Sequence, residues 1–239
     1  MKTINYLLGY NDLKIVQDNN SFCFSLDSVL LPNFVTINKS CNNILDIGCG
    51  NAPIPLILTK RTSAKIVGIE IQKEIYNLAK ETIEINELEN QISIINDDIN
   101  NYYLNQETDL FDVITCNPPY FKLTEQSNIN NSENKTIARH EKTLTLDQIF
   151  KVAKKLLKNN GVIAIVNRPE RLVEIIESMK RNNIEPKRIQ FVYPKKDKEA
   201  NILLIEGSKN GKPGIKILQP LYAHEDNGEY TQDIKKYFS

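Results

Sequence analysis

The chain has 239 residues, with 30 Lys/Arg against 30 Asp/Glu and 41% apolar residues, a composition that suits one α/β domain with a sizeable core. No apolar stretch reaches the roughly 20 residues a bilayer span needs. Met1 to Tyr10 shows neither a long apolar region nor a small-residue cleavage site, so a cytoplasmic protein is expected.

The zero net charge conceals an asymmetry: residues 1–145 carry 12 Lys/Arg against 18 Asp/Glu, and residues 146–239 carry 18 against 12. A basic second part suits a polyanionic partner, and it equally suits a solvated surface in a chain rich in Asn, Ile and Lys. Cys23, Cys41, Cys49 and Cys116 are irregularly spaced, form no C-x-x-C pair and have only His140 and His224 to join them. No metal site is expected, and Cys23 and Cys41 read as buried thiols of a reduced compartment.

From Asn43 onward strands and helices alternate. Ile44 to Ile47 is a short apolar run that ends in a glycine turn, and Ile54 to Leu58 is expected to be helical, with Pro53 in the first turn. Lys65 to Glu70 is a second strand. Lys73 to Asn86 then repeats Ile75, Leu78, Ala79, Thr82 and Ile83 at helical spacing. Ile92 to Ile95 and Phe111 to Thr115 are the next strands, followed by a long polar segment, Lys122 to Thr145. An amphipathic helix spans Leu146 to Lys158, Gly161 is expected to close it, and Val162 to Val166 is a fifth strand. The order implies a parallel, doubly wound sheet with ligands at the carboxyl ends of its strands. Beyond it, Arg188 to Tyr193 and Asn201 to Glu206 flank the charged loop Pro194 to Ala200 and read as a hairpin.

The turn Asp46-Ile47-Gly48-Cys49-Gly50 starts like a dinucleotide fingerprint, but Pro53 stands where the third glycine of G-x-G-x-x-G would fall. A pyrophosphate needs a backbone N–H and close approach there, so NAD and FAD are disfavoured. S-adenosylmethionine has no phosphate, and its cationic groups suit a strand end that carries a carboxylate such as Asp46. Gly48 and Gly50 would let the backbone pass close to it. Glu70, with Ile71 beside it, ends the second strand where a carboxylate can accept both ribose hydroxyls. Asp98, or its neighbour Asp97, ends the third where an adenine amino group would lie.

Asn117-Pro118-Pro119-Tyr120 follows the apolar run Leu110 to Cys116. The exocyclic nitrogen of adenine is a poor nucleophile because its lone pair is delocalised into the ring. If the Asn117 side-chain oxygen and the Pro118 carbonyl each accept one of its N–H groups, the nitrogen is drawn toward tetrahedral geometry and its lone pair can face a methyl donor. Pro119 helps to fix the turn. Tyr120 can stack on an unstacked base, a contact worth roughly 1–3 kcal/mol, and Phe121 can extend that platform. The same tetrapeptide could instead be a proline turn whose Tyr120 packs on the core. His140, in Arg139-His140-Glu141, is either a general base or part of a polar loop that pairs with itself or with RNA.

At these residues the chain resembles the class I S-adenosylmethionine-dependent methyltransferases of the N-P-P-Y type, and more closely the bacterial tRNA adenine-N6 methyltransferases that modify adenine 37, next to the anticodon of a valine tRNA. The resemblance covers nearly the whole chain, including Phe22 to Leu31, Ala138 to Glu141 and the tail Tyr222 to Tyr230. It implies a Rossmann-like fold with a seven-stranded, mainly parallel sheet and a C-terminal antiparallel hairpin. It also implies one domain over 1–239, in which residues 1–42 close over the cofactor and 43–239 form the catalytic core.

By the resemblance, Gln17, Phe24 and Asp27 would lie near the methionine end of S-adenosylmethionine. Asp46, Gly48, Glu70 and Asp98 would hold that cofactor, and Asn117, Pro118 and Tyr120 would present the adenine. Lys187, Arg188, Lys195, Lys196 and Lys198, helped by Lys235 and Lys236, are the expected RNA footing, giving salt-sensitive affinity without sequence choice. The expected partner is tRNA through its anticodon loop, with no DNA, membrane or protein partner. Other readings are a glutamine methyltransferase acting on a release factor, an adenine methyltransferase acting on DNA, and a scaffold that binds cofactor or RNA without turnover. The first typically carries a helical domain ahead of the cofactor motif, whereas here 45 residues precede Asp46 and several look strand-like.

Overall fold

The computed structural model describes residues 2–18, 25–118 and 144–238. A hairpin opens the chain, with β1 (Lys2–Leu7) antiparallel to β2 (Tyr10–Asp18), and is followed by α1 (Leu26–Phe34). The core then runs β3 (Asn43–Ile47), α2 (Pro53–Thr59), β4 (Lys65–Glu70), α3 (Lys73–Ile85), β5 (Ile92–Asn96), α4 (Ile99–Tyr102) and β6 (Phe111–Cys116). It continues with α5 (Leu146–Leu156), β7 (Leu157–Asn167), α6 (Leu172–Arg181), β8 (Ile184–Tyr193) and β9 (Ile202–Lys209). The short strands β10 (Lys216–Ile217) and β11 (Leu221–Tyr222) and the turn of helix α7 (Gln232–Lys235) complete it.

The main sheet has nine strands, two more than the seven expected: seven long ones in the order β8-β9-β7-β6-β3-β4-β5, and the two-residue strands β10 and β11, which both join β8 in parallel. β3 to β7 pair in parallel, whereas β9 is antiparallel to both β7 and β8. β8 therefore points the same way as the parallel strands, and the loop after it opens on the edge where their carboxyl ends lie.

Side chains alternate across the sheet with a period of two. Ile44 and Val113 belong to one buried cluster together with Val29, Leu30 and Leu31 of α1 and Leu56 to Leu58 of α2. Leu45, Ile47, Ile114 and Cys116 belong to the other, together with Ile149 and Phe150 of α5 and Ile175 and Met179 of α6. Burying Val29, Leu30 and Leu31 stabilises by roughly 1.5–3 kcal/mol each, which fixes α1 over the first face. The hairpin is tied to α3 by hydrogen bonds: the Val16 N–H donates to Thr82 Oγ1 at 3.0 Å and the Lys14 N–H to Asn86 Oδ1 at 2.9 Å.

One boundary differs from expectation. α5 ends at Leu156, the chain turns extended at Leu157, and Gly161 lies inside β7 instead of capping the helix. The backbone asks for glycine for another reason: a Cβ there would sit 2.9 Å from the Lys158 carbonyl and 3.1 Å from that of Asp112. The left-handed turn falls one residue earlier, at Asn160, with φ 62°. Among the described residues no helix is long and apolar enough to cross a membrane, and no three His, Cys, Asp or Glu side chains are grouped to hold a metal.

Candidate active site

Asp46 lies fully buried on β3, on the face covered by α1, opposite Thr115 of β6 in the register. The Thr115 hydroxyl donates to Asp46 Oδ1 at 2.6 Å. Asp46 Oδ2 is buried and accepts no hydrogen bond from the described residues. Burial pushes the Asp46 carboxyl up to about 7, against the Thr115 hydrogen bond and with some help from the nearby Glu70 charge. A buried carboxylate oxygen without a donor is costly, and a cationic ligand at this strand end would relieve that cost.

Gly48 and Gly50 have φ 68° and 57°, and a Cβ at either would meet nothing within 4 Å, so the turn borders open space. The turn is pinned from below, where the Cys49 N–H donates to Ile69 O at 3.0 Å and the Asn51 side chain to Val16 O at 2.9 Å. Ala52, also left-handed at φ 73°, leads into α2, where Pro53 takes the first position as expected. Glu70 is buried, and its two oxygens accept the N–H groups of Gly50 at 3.1 Å and Gln72 at 2.8 Å. Ile71 beside it is exposed. Asp97 accepts the Asp98 N–H, and Asp98 caps α4 through the Asn100 N–H at 2.8 Å. An acid at each of three successive strand ends, around a turn with room above it, fits S-adenosylmethionine.

Asn117 and Pro118 follow β6 directly, two residues beyond Thr115, so the two-residue period carries Asn117 to the face of Asp46 and Thr115. The Asn117 side-chain amide donates to Ser28 Oγ on α1 at 3.5 Å. Asp27 and Ser28 are both buried in the first turn of that helix. Gln17, near the end of β2, is buried; its Oε1 accepts from Asn5 at 2.9 Å, and its Nε2 has no partner among the described residues. Phe24, Pro119, Tyr120, Phe121, Arg139 and His140 lie outside the described residues, as does Cys23.

Thr115, Ser28 and Asn51 are site neighbours that the sequence reading missed. The position of Thr115, two before Asn117 in a strand, was a usable signal, whereas nothing local marks Ser28 or Asn51. Burial pushes the Cys41 thiol to about 11 and those of Cys49 and Cys116 well up, so all three stay neutral.

The expected RNA footing divides. Lys195, Lys196 and Lys198 lie in the loop between β8 and β9, at the same sheet edge as Asn117 and about 15 Å along it, three strand spacings away. Lys196 also borders a cavity of about 220 Å³ formed with Tyr222, His224 and Thr231 of the tail. Arg188 corrects the expectation. Its guanidinium donates to Thr36 Oγ1 at 2.6 Å and Phe34 O at 3.1 Å, lies 3.4 Å from the nearly fully buried Glu206, and covers the Phe34 ring. Lys187 is engaged with Lys212 O at 2.9 Å, and it lies six residues before Tyr193 in β8, roughly 20 Å from the basic loop.

Strand order, the antiparallel β9 and the acid-lined glycine turn define an S-adenosylmethionine-dependent methyltransferase of the Rossmann-like class. Residues 38–220 match the family described as a methyltransferase domain. The chain is 30% identical to the tRNA1(Val) (adenine(37)-N6)-methyltransferase of Parabacteroides distasonis, over 98% of each chain, and it belongs to that family. Among solved structures it is similar to a predicted O-methyltransferase from Agrobacterium tumefaciens, with TM-score 0.69 and 18% identity over 89% of this chain and 97% of that one. It is also similar to geranyl diphosphate C-methyltransferase from Streptomyces coelicolor, solved with S-adenosyl-L-homocysteine, with TM-score 0.57 and 11% identity over 76% of each chain.

Proposed function

We propose that this protein transfers a methyl group from S-adenosylmethionine to N6 of an adenine in tRNA, and that the adenine is number 37, next to the anticodon of a valine tRNA. One observation supports the reading: Asp46 and Thr115 are paired in the sheet register, and Asn117 follows two residues on at the same face, where a cation site beside an amine acceptor site would fit. The name of the Parabacteroides relative supports the choice of tRNA, adenine and position. The whole chain acts as one cytoplasmic domain, in keeping with the buried, neutral Cys41, Cys49 and Cys116.

Gln17, Phe24, Asp27, Asp46, Gly48, Gly50, Glu70, Ile71, Asp97 and Asp98 would hold the cofactor. When bound, S-adenosylmethionine supplies a methyl group made electrophilic by its sulfonium. The Asn117 amide oxygen and the Pro118 carbonyl accept the two N–H groups of the adenine amine, turning its lone pair out of conjugation. Pro119 holds the turn and Tyr120 stacks on the flipped base, with Phe121 beside it. Once methylated, the nitrogen is acidic and needs no strong base, so its proton passes to water. Lys195, Lys196 and Lys198 contact phosphates, and Arg139 and His140 approach the RNA.

The name of the Parabacteroides relative favours tRNA over a release factor, which counts against the glutamine methyltransferase reading. The test is transfer of labelled methyl to bulk tRNA, release factor and DNA side by side, followed by nucleoside analysis. Label is expected in N6-methyladenosine of tRNA alone, and label in glutamine or DNA would refute the assignment. Asn117→Ala should abolish transfer with cofactor affinity retained, whereas near-normal turnover would exclude the amine clamp.

A further inference from the structure

Asn117 has an amide oxygen and an amide nitrogen of nearly equal size, and only the oxygen can accept a hydrogen bond from the substrate amine. If the amide turned over, its NH2 would face another NH2 and the clamp would repel what it should hold. Something must therefore set the amide's orientation before substrate arrives. On α1, the hydroxyl oxygen of Ser28 lies 3.5 Å from Asn117 Nδ2 and can accept from it.

Ser28 is only 4% exposed, so water cannot readily replace its hydroxyl. Its helix is anchored by Val29, Leu30 and Leu31, all buried in the cluster beneath the same sheet face. The hydroxyl is thus fixed relative to β6 by packing that does not depend on substrate. A separation of 3.5 Å is long for a hydrogen bond, and in substrate-free enzymes such contacts commonly tighten only as the reacting complex forms.

Resting on the methyl-transfer reading above, we propose that Ser28 is a positioning residue. Its oxygen holds the Asn117 NH2, so that the amide oxygen is the atom presented to the acceptor amine. Asp27, its neighbour in the same turn, belongs to the cofactor side, so the first turn of α1 serves donor and acceptor pockets through adjacent residues.

The test is single-turnover methylation of bulk tRNA, with S-adenosylmethionine affinity measured by calorimetry. Ser28→Ala is expected to slow transfer about tenfold with cofactor Kd within about twofold of normal and an unchanged melting temperature, and Ser28→Thr to restore most of the rate. A second arm isolates orientation. Asn117→Asp makes both side-chain oxygens acceptors, so Ser28→Ala should change the rate less than about twofold in that background. The proposal is overturned by a normal rate in Ser28→Ala, by a loss matched in cofactor affinity, or by the same tenfold loss in the Asn117→Asp background. If Asn117→Asp transfers nothing measurable, the threonine arm decides: failure of a normally folded Ser28→Thr to recover the rate overturns the idea. An active Asn117→Ala would sink the underlying reading itself. An inactive Asn117→Ala beside a normal Ser28→Ala removes Ser28 alone.

Discussion

Asp46→Asn isolates the electrostatics of the site. The Asp46 carboxyl sits near 7 in the folded protein because burial disfavours its charge, against a model carboxyl near 3.8. Between those values the folded state binds the proton that the unfolded state has released. The stability this group gives is therefore fully present below about 3.8 and is lost as pH rises through about 7. At 1.36 kcal/mol per unit the full difference is on the order of 4 kcal/mol. Asparagine carries no charge and removes that dependence. Its nitrogen, if it takes the place of the unpartnered Oδ2, costs about 1–3 kcal/mol at every pH, so the absolute stability of the variant is uninformative and the slope against pH is the quantity to read. Thermal melts of cofactor-free wild type and Asp46→Asn from pH 5 to 8.5 should show the variant gaining on wild type as pH rises. For a chain of this size, each kcal/mol is worth about 2–4 °C.

If Asp46 holds the cofactor as proposed, S-adenosylmethionine brings positive charge to the same place. Wild-type affinity for S-adenosylmethionine should therefore strengthen from pH 6 to 8 with release of a proton, and Asp46→Asn should lose that trend. Parallel melting curves and parallel affinity profiles for the two proteins would refute the claim that a buried, uncompensated carboxyl waits at this strand end.

Most of the sheet was legible because its signals are local. The run Lys65 to Glu70 matches β4 residue for residue, and Pro53 falls at the first position of α2, because apolar runs and proline geometry act within a few residues. Gly161 misled because a helix stop and a close backbone crossing both select glycine, and only the packed strand against Asp112 tells them apart. The placement of Asp46, Glu70 and Asn117 at strand ends was readable. The contacts that orient them were not, since Thr115 lies 69 positions from Asp46 and Ser28 lies 89 from Asn117. Arg188 failed for the same reason: its partners Phe34 and Thr36 are brought to it by the fold, not by the chain.

Two surface predictions separate the basic residues. Changing Lys195 and Lys196 together to Glu should weaken tRNA binding and reduce the dependence of log affinity on log salt by up to about 0.7–0.9 per lost phosphate contact; an unchanged slope in filter binding would take that loop off the RNA surface. Arg188→Ala should act differently, because it leaves Glu206 in place with 3% of its side chain exposed and removes the cation 3.4 Å away. Thr36 still donates to both Glu206 oxygens, at 2.6 and 2.9 Å, so the loss should fall near the lower end of the roughly 3–5 kcal/mol typical of a broken buried pair. Denaturant unfolding should register that loss. tRNA affinity, measured well below the melting temperature, should keep its salt slope. A flattened slope with unaltered stability would return Arg188 to the RNA footing and overturn the inward role that its bonds to Phe34 and Thr36 give it.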